Sequence, residues 1–467
     1  MKDKIKNLTR ALYYRTPYTW RVPKVYYDTR ELIATINNSG DIEKWQLDKL
    51  KEILRHAYTN VPGYYQLYKE AGVTPDDIQT IADIKLLPII NKETLRENIA
   101  DFTSRTASKN TLFLSRTSGS TGTPFGFYKT IEEEWVEQAF VAHAWSKGGW
   151  NIHQSGFMLR GAYGGDAEHI IKKCNNSNFY VHNKSYMLSP NFLTEEHYTT
   201  YRAFLLEHKE LSYIFSLPSS ITLLSQLMIE HNDEGISGVT AIYLSSESIY
   251  EWQYEYIKKA FPNANVISLY GQTERVIMAY WCKDSRKYHV DGIYGITELL
   301  NNNAEVEQGE TGELIGTSFW NTTTPFIRYR TKDFAVKDDS DCSYCHQRCM
   351  MLKSIEGRLQ DVLVGKKGRY LPYTAFDGSL LHGSVFKDIE MYKIVQRELG
   401  KLTFELQVKE TFNGAKKEEF AQIISSYLGA DFVAEITIVD KIAPGKNGKY
   451  NIVEQYLPIS IESRINK

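Results

Sequence analysis

Apolar and polar positions along the chain switch repeatedly between a helical and a strand period. Within residues 43–70, Leu47, Leu50, Leu54, Ala57 and Tyr58 recur near the three-and-four spacing of one buried helical face, and Val61-Pro62-Gly63 breaks it. Residues 83–92 read as a connector entering a further helix, with Asn91 at its N-cap. Short apolar runs at 111–114 and 125–128 read as strands on either side of a polar loop. Thr130 is placed to cap a helix whose first turn holds Glu132, Glu133 and Glu134, carboxylates that oppose the positive end of the helix dipole. Val136, Phe140, His143 and Ala144 form its apolar stripe, and Gly148-Gly149 ends it. His143 in that stripe reads as a packed, hydrogen-bonded histidine rather than a catalytic one.

The middle of the chain alternates strand (213–217), helix (219–230), strand (241–244), helix (250–261) and strand (266–269). Alternation of this kind predicts parallel βαβ units, hence an α/β fold whose ligands bind beyond the carboxyl ends of the strands. Residues 216–219, Ser245-Ser246-Glu247 and Tyr270-Gly271-Gln272-Thr273-Glu274 fall at those ends. Residues 313–317 and 326–329 read as later strands, the second followed by Arg330-Thr331-Lys332-Asp333. Beyond a charged turn at 354–361 the pattern is mixed: a strand at 402–408, a helix at 416–428 and a strand at 434–439. A domain boundary is expected close to Asp361, between a body of 1–357, with a helical lead-in over 1–100, and a C-terminal domain of 358–467.

A chain of 467 residues exceeds what one hydrophobic core usually supports, which agrees with two domains. The formal net charge of -2 gives no electrostatic case for nucleic acid or an anionic membrane, so recognition must be local. The first residues lack an apolar signal region and no run is long enough for an integral membrane segment, so a cytoplasmic enzyme is expected. Five cysteines in a chain of this size argue against a disulfide framework. Cys342, Cys345 and Cys349 are clustered; Cys342-x2-Cys345 fits two buried thiols or half of a metal site about equally.

The loop between the first two strands reads Ser115-Arg116-Thr117-Ser118-Gly119-Ser120-Thr121-Gly122-Thr123-Pro124. Glycines let successive N–H groups approach an anion and the hydroxyls add donors, the composition of a phosphate cradle. A solvated hairpin fits the composition as well. It is not a Walker A loop, because no Gly-Lys-Ser/Thr ends it.

Taken in order, these segments resemble the adenylate-forming superfamily, and most closely its phenylacetate-CoA ligase and CapK-like branch. The central loop is similar to that superfamily's phosphate loop, Tyr270 to Glu274 to its Tyr-Gly-x-Thr-Glu motif, and Tyr329-Arg330-Thr331-Lys332-Asp333 to its ribose-binding aspartate motif. Gly357-Arg358 to Asp361 resembles the hinge motif, and Asn447-Gly448-Lys449 the tail that delivers the catalytic lysine. His56 to Tyr65, with Val61-Pro62-Gly63 inside it, is similar to a helix end of the CapK-like branch. Lys332 stands where that family has glycine, Gln360 where an aspartate is common and Asn447 where serine is usual, and Lys446 rivals Lys449.

The resemblance implies a large adenylate-forming body with a small mobile α+β C-terminal domain. It implies ATP with Mg²⁺, a carboxylic acid substrate, and acyl transfer to a thiol, of CoA or a carrier protein, or to an amine such as an amino sugar in capsule or O-antigen synthesis. Thr117, Ser118, Gly119, Ser120, Thr121, Gly122 and Thr123 would hold the β- and γ-phosphates, Thr273 the α-phosphate, Glu274 the Mg²⁺ and Asp333 the ribose hydroxyls. Ser246 and Glu247 would lie against adenine, Tyr270, Gly271 and Gln272 would complete the nucleotide site, and Arg358 and Lys449 would join it from the C-terminal side, with Asp361 as hinge. Relatives on this branch place a Cys and a His after the Tyr-Gly-x-Thr-Glu turn around structural zinc, which makes Cys282, His289, Cys342 and Cys345 the ligand set, with Cys349 able to replace one. The alternative is a catalytically degenerate nucleotide-binding scaffold of a polysaccharide pathway, which the retention of Glu274, Asp333, Arg358 and the Gly-Lys tail disfavours.

Overall fold

Helices lead into the described chain because its first apolar stripes have the 3.6-residue period: α1 (Lys24–Ser39), α2 (Ile42–Asn60) and α3 (Pro62–Ala71). Pro62 opens α3 at the position where a missing N–H leaves no bond unmade, and Gly72 closes it with φ 67°. The Asn91 side chain accepts from the Thr94 amide at 2.8 Å and caps α4 (Lys92–Glu97) as its sequence predicts. An antiparallel hairpin follows, β1 (Leu112–Arg116) with β2 (Gly126–Thr130), Arg116 opposite Gly126. Thr130 and Glu133 then form a reciprocal capping box that starts α5 (Ile131–Ser146).

In this computed structural model the described residues are 18–108, 111–116, 125–160, 170–174, 185–247, 249, 251–282, 286–301, 303–338, 342, 349–356, 362–366, 370–372, 385, 388–442 and 453–457. Thr117, Ser118, Gly119, Ser120, Thr121, Gly122, Thr123, Cys345, Arg358, Asp361, Lys446 and Lys449 lie outside them.

Most of the remaining body is one mixed sheet. Its strands are β3 (Gly156–Leu159), β4 (Ile171–Cys174), β5 (Ser185–Leu188), β6 (Tyr213–Ser216), β7 (Ala241–Ser245), β8 (Asn265–Gly271) and β9 (Met278–Trp281). They continue with β10 (Tyr288–Val290), β11 (Gly295–Asn301), β12 (Ala304–Glu305), β13 (Thr311–Ser318), β14 (Tyr329–Asp338) and β15 (Met351–Glu356). Across the sheet the order is β12-β11-β13-β14-β15-β10-β9-β8-β7-β6-β3-β5-β4. Helices α7 (Pro218–Glu230) and α8 (Glu251–Ala260) interleave with β6, β7 and β8, which pair in parallel as the alternating pattern predicts; β3, which joins them in parallel beside β6, and α6 (Tyr198–Glu207) were not expected.

Both faces of this parallel part are apolar, which is why its strands read as continuous hydrophobic runs. Phe157, Ile214, Ile242 and Val266 point into one core together with residues of α2, α7 and α8. Met158, Phe215, Tyr243 and Ile267 point into a second, covered by Phe140 and Trp145 of α5 and Ile33 of α1. Trp145 stacks on Tyr243 with ring centroids 4.6 Å apart, fixing α5 over the sheet.

The strand expected at 326–329 begins only at Tyr329. Phe326 and Ile327 are buried, but the Ile327 amide donates to the Tyr64 hydroxyl of α3 at 2.9 Å instead of to a ladder, and Arg328 turns the chain with φ 48°. An apolar run was therefore a core plug rather than a strand. The lead-in stitches the same region: the Ile90 amide donates to the Arg328 carbonyl at 3.0 Å and the Arg330 amide to the Ile90 carbonyl at 2.9 Å.

The C-terminal part has its own core. A small hairpin, β16 (Val362–Val364) with β17 (Tyr370–Pro372), precedes β18 (Ile389–Glu398), β19 (Lys401–Val408), α9 (Gly414–Leu428), β20 (Val433–Ile438) and β21 (Val453–Gln455). The four-stranded sheet has order β20-β19-β18-β21, and Ile394, Leu402, Phe404, Phe420 and Val453 pack within it.

Candidate active site

β8 ends at Gly271, so Tyr270 is its penultimate residue and Gln272 to Glu274 turn away at the carboxyl edge of the parallel strands. The Tyr270 hydroxyl donates to Asp333 Oδ2 at 2.7 Å and accepts from Gln272 Nε2 at 2.5 Å. Gln272 is itself held, its Oε1 accepting from the Ile277 amide at 3.2 Å. Burial, and then the Asp333 carboxylate, push the Tyr270 hydroxyl pKa well up, so it is a proton donor at neutral pH. Asp333 lies within β14, separated from β8 by the three strands β15, β10 and β9 in the sheet order, and meets Tyr270 across the edge. Lys332 before it adopts φ 65°, the conformation that favours the glycine it replaces, and its ammonium pairs with Glu93 at 2.9 Å. Thr273 is exposed on the same turn.

Glu274 is buried. The Tyr329 hydroxyl donates to its Oε1 at 3.0 Å, and Asn321 Nδ2 donates to its backbone carbonyl at 2.6 Å. Burial raises its carboxyl pKa, while the Lys92 cation and the Tyr329 hydrogen bond pull it back. A buried carboxylate with a second carboxylate, Asp333, in electrostatic reach is a donor set that suits a hard oxygen-seeking cation such as Mg²⁺. Lys92, at the first turn of α4, also stands 5.9 Å from the ring of Phe125, which leads into β2. The base of the hairpin and the Glu274 turn are thus neighbours.

A buried ionic cluster joins these two elements. Arg275 donates to Glu134 at 2.6 Å and to the Glu133 carbonyl at 3.1 Å, and its Nε lies 3.9 Å from Glu137. Lys129 of β2 pairs with Glu134 at 3.1 Å, and the Tyr294 hydroxyl donates to Glu137. Against the desolvation of burial, Arg275 and Lys129 hold Glu134 below the ordinary carboxylate range, whereas burial raises Glu137. Glu133 and Glu134 are therefore more than dipole partners of α5: they tie the hairpin to the residue next to Glu274.

Ser246 and Glu247 follow β7, the strand beside β8, with Ser246 at φ 72°. Arg160, at the carboxyl end of β3, reaches across to this segment: NH1 donates to Ser245 Oγ at 3.0 Å and NH2 to Ser246 Oγ at 3.1 Å. Its guanidinium lies over the Phe215 ring, 4.4 Å from the centroid. Neither Arg160 nor the Arg275 cluster belongs to a contiguous motif, and Lys92 looked like an ordinary first-turn residue; only the strand order brings them to this edge.

Away from this edge, Cys282, His289 and Cys342 are buried with their ligand atoms all within 4.8 Å of one another. His289 Nδ1 donates to the Lys287 carbonyl at 3.2 Å, and its Nε2 has no hydrogen-bond partner among the described residues. That bond places the proton on Nδ1 and leaves Nε2 with a lone pair for a ligand, as in a metal-binding imidazole. Cys349 packs against the same group. The donor set, two sulfurs and one imidazole nitrogen, suits zinc.

No family model matches the chain. Its relatives include the protein CapK of Staphylococcus aureus, 24% identical over 350 residues, 74% of each chain. A phenylacetate-coenzyme A ligase of Thermus thermophilus is 23% identical over 382 residues, 79% of this chain and 81% of the relative. Among solved structures, 2-hydroxyisobutyryl-CoA ligase in complex with 2-HIB-AMP and CoA in the thioesterification state superposes with a TM-score of 0.60 at 18% identity, over 89% of this chain and 90% of that one. The open conformation of the same ligase gives 0.55 at 17% identity over 88% and 91%. Sequence and fold thus bear out the resemblance: the chain is similar in sequence to CapK and to phenylacetate-CoA ligases, and it shares its fold with 2-hydroxyisobutyryl-CoA ligase.

Proposed function

We propose that the chain is an ATP-dependent, AMP-forming ligase. A carboxylate oxygen attacks the α-phosphorus of ATP, the bond from that phosphorus to the bridging oxygen breaks, and pyrophosphate leaves. An acceptor then attacks the acyl carbon, loses its proton, and displaces AMP. The observation that supports this reading best is the meeting of Tyr270, Gln272, Asp333, Glu274 and Tyr329 at the carboxyl edge of β6, β7 and β8. These residues come from the segments that carry the resemblance, in the family's order.

Adenylation joins two anions, so the site must supply charge and donors as negative charge develops on the phosphates. Asp333 accepts from the ribose hydroxyls, and Tyr270 holds its carboxylate in place for them. Ser246 and Glu247 bound the adenine side, and Tyr270, Gly271 and Gln272 line the nucleotide. Thr273 donates to the α-phosphate, and Thr117, Ser118, Gly119, Ser120, Thr121, Gly122 and Thr123 cradle the other two. Glu274, oriented by Tyr329 and Asn321, would hold Mg²⁺, which when bound neutralises phosphate charge. Arg358 and Lys449 complete the site, with Lys449 as a point charge at the bridging oxygen and the carboxylate.

For the acceptor we favour a thiol, that of CoA, because phenylacetate-CoA ligases are among the relatives. An amine such as an amino sugar, in capsule or O-antigen synthesis, rests on the CapK relative. Cys282, His289, Cys342 and Cys345 would hold a structural zinc ion, which when bound would brace the fold beside β9 and β10 and leave no open position for catalysis. Among the described residues no helix is long and apolar enough to cross a membrane. The test is pyrophosphate release from ATP over a panel of carboxylic acids. Acid-dependent release is expected; nucleotide binding without acid-dependent release would favour the scaffold reading.

A further inference from the structure

We infer that residues 1–20 dock the protein on the surface of an anionic lipid bilayer; this goes beyond the ligase reading and does not rest on it. Basic and acidic residues nearly cancel over the whole chain, but they are unevenly spread. Lys2, Lys4, Lys6, Arg10 and Arg15 are balanced by Asp3 alone, so residues 1–20 carry a formal +4 and the rest of the chain -6. A local excess of this kind acts on a charged surface within a Debye length, about 10 Å at about 0.1 M salt, whatever the total charge. The same stretch has an apolar side. Met1, Ile5, Leu8 and Leu12 recur at the three-and-four spacing of one helical face, and Lys2, Lys6 and Arg10 fall away from it. Tyr13, Tyr14, Tyr18 and Trp20 follow.

A segment that lies on a bilayer rather than spanning it needs these three parts: an apolar stripe for the acyl chains, cations for the headgroups, and aromatic rings for the level between them. The described residues where the stretch joins the body fit that role. Trp20, in the helical turn Tyr18–Arg21, is 79% exposed, more than any other large hydrophobic side chain among the described residues. A single exposed aromatic is ordinary, but this one continues a basic and aromatic run. Val22, Tyr26, Ile33 and Ile36, by contrast, are buried in the core that α5 covers. Docking the stretch would therefore carry the body with it. RNA is the other polyanion that a basic stretch meets, but its phosphate backbone offers Ile5, Leu8 and Leu12 no apolar phase, so the stripe favours the bilayer.

The experiment sediments the full chain with vesicles and reads the bound fraction. Vesicles of phosphatidylglycerol mixed with phosphatidylcholine are expected to bind it at least about tenfold more tightly than phosphatidylcholine alone, and raising salt from about 0.1 to about 1 M should remove most of that preference. Lys6→Glu combined with Arg10→Glu should abolish the preference. Leu8→Gln and Trp20→Ala keep the charge, and each should weaken binding to the anionic vesicles about fivefold or more. No binding to anionic vesicles, or equal binding to both kinds, would overturn the assignment. So would anionic-vesicle binding that Leu8→Gln and Trp20→Ala both leave unchanged. Tighter binding to a single-stranded RNA oligonucleotide than to the anionic vesicles, lost with the charge reversals, would give the stretch to nucleic acid instead. The wild-type comparison of the two vesicles and the RNA stands even if a variant fails to fold, and pyrophosphate release in solution tests the ligase reading separately.

Discussion

At the scale of single residues, the site shows how burial sets what a side chain does. Burial raises the pKa of Glu274, a Tyr329 hydrogen bond and the nearby Lys92 charge offset part of that, and we propose that this carboxylate holds Mg²⁺. Glu274→Gln keeps the shape and removes the charge. It should leave nucleotide binding measurable and lower acid-dependent exchange of pyrophosphate into ATP by about 100-fold or more, the scale of one lost electrostatic contact in a transition state. Wild-type exchange rates in the variant would remove Glu274 from the metal role. His143 has a different fate. It is packed as its helical stripe predicts, yet its Nε2 has no hydrogen-bond partner among the described residues, and burial, then Lys147 and Arg30, push its pKa down to about 3. The unfolded imidazole takes up a proton near pH 6.5 while the folded one does not until about pH 3. Stability is therefore lost as pH falls through that window, by about 1.4 kcal/mol per pH unit from this group. His143→Leu abolishes the proton uptake, so its urea midpoint should fall less than that of the wild type between pH 6.5 and 4.5. Equal slopes in the two proteins would refute the assignment.

At the scale of elements, the chain's periodicities carried the parallel core: β6, α7, β7, α8 and β8 lie within a residue or two of their expected spans. Period alone failed at 326–329, because an apolar run says that side chains are buried and not that the backbone forms a ladder. It also hid the Arg275 cluster. Three glutamates in a first helical turn look the same whether they face water or a buried arginine, and the partners Lys129 and Arg275 are distant in sequence. Lys332 is the opposite case. The family pattern flagged it as a departure from glycine, and φ 65° shows that the backbone keeps the glycine-like turn, with the Glu93 pair holding the longer side chain. The Cys and His set was legible from spacing only with the resemblance, since Cys282 and Cys342 sit on segments that meet through the pairing of β10 with β9 and β15. Purified protein should carry about one zinc per chain by elemental analysis. Cys282→Ser should lower zinc content and melting temperature together, because a structural metal contributes folding energy. Zinc-free wild-type protein of full stability would reject the site.

At the scale of the whole molecule, the C-terminal sheet has a core of its own, and we propose that it changes position relative to the body. Structural neighbours include one ligase described in open, postadenylation and thioesterification states. For this chain we propose that Asp361 is the pivot between such states and that Lys449 is delivered to the site in only one of them. A hinge is a position whose φ/ψ change carries a domain, so restricting it should hold one state rather than unfold the protein. Asp361→Pro applies that restriction, since proline fixes φ near -65°. The variant should then impair one half-reaction, adenylate formation or acyl transfer, at least tenfold more than the other. Lys449→Ala should impair adenylate formation selectively while a synthetic acyl-adenylate is still consumed, because its charge is needed where the phosphorus–oxygen bond breaks. Pyrophosphate release reports the first half-reaction and AMP release from the synthetic adenylate the second. Equal loss of both in Asp361→Pro, with circular dichroism unchanged, would mean that the domain does not turn about this residue, and full adenylation by Lys449→Ala would pass the catalytic role to Lys446.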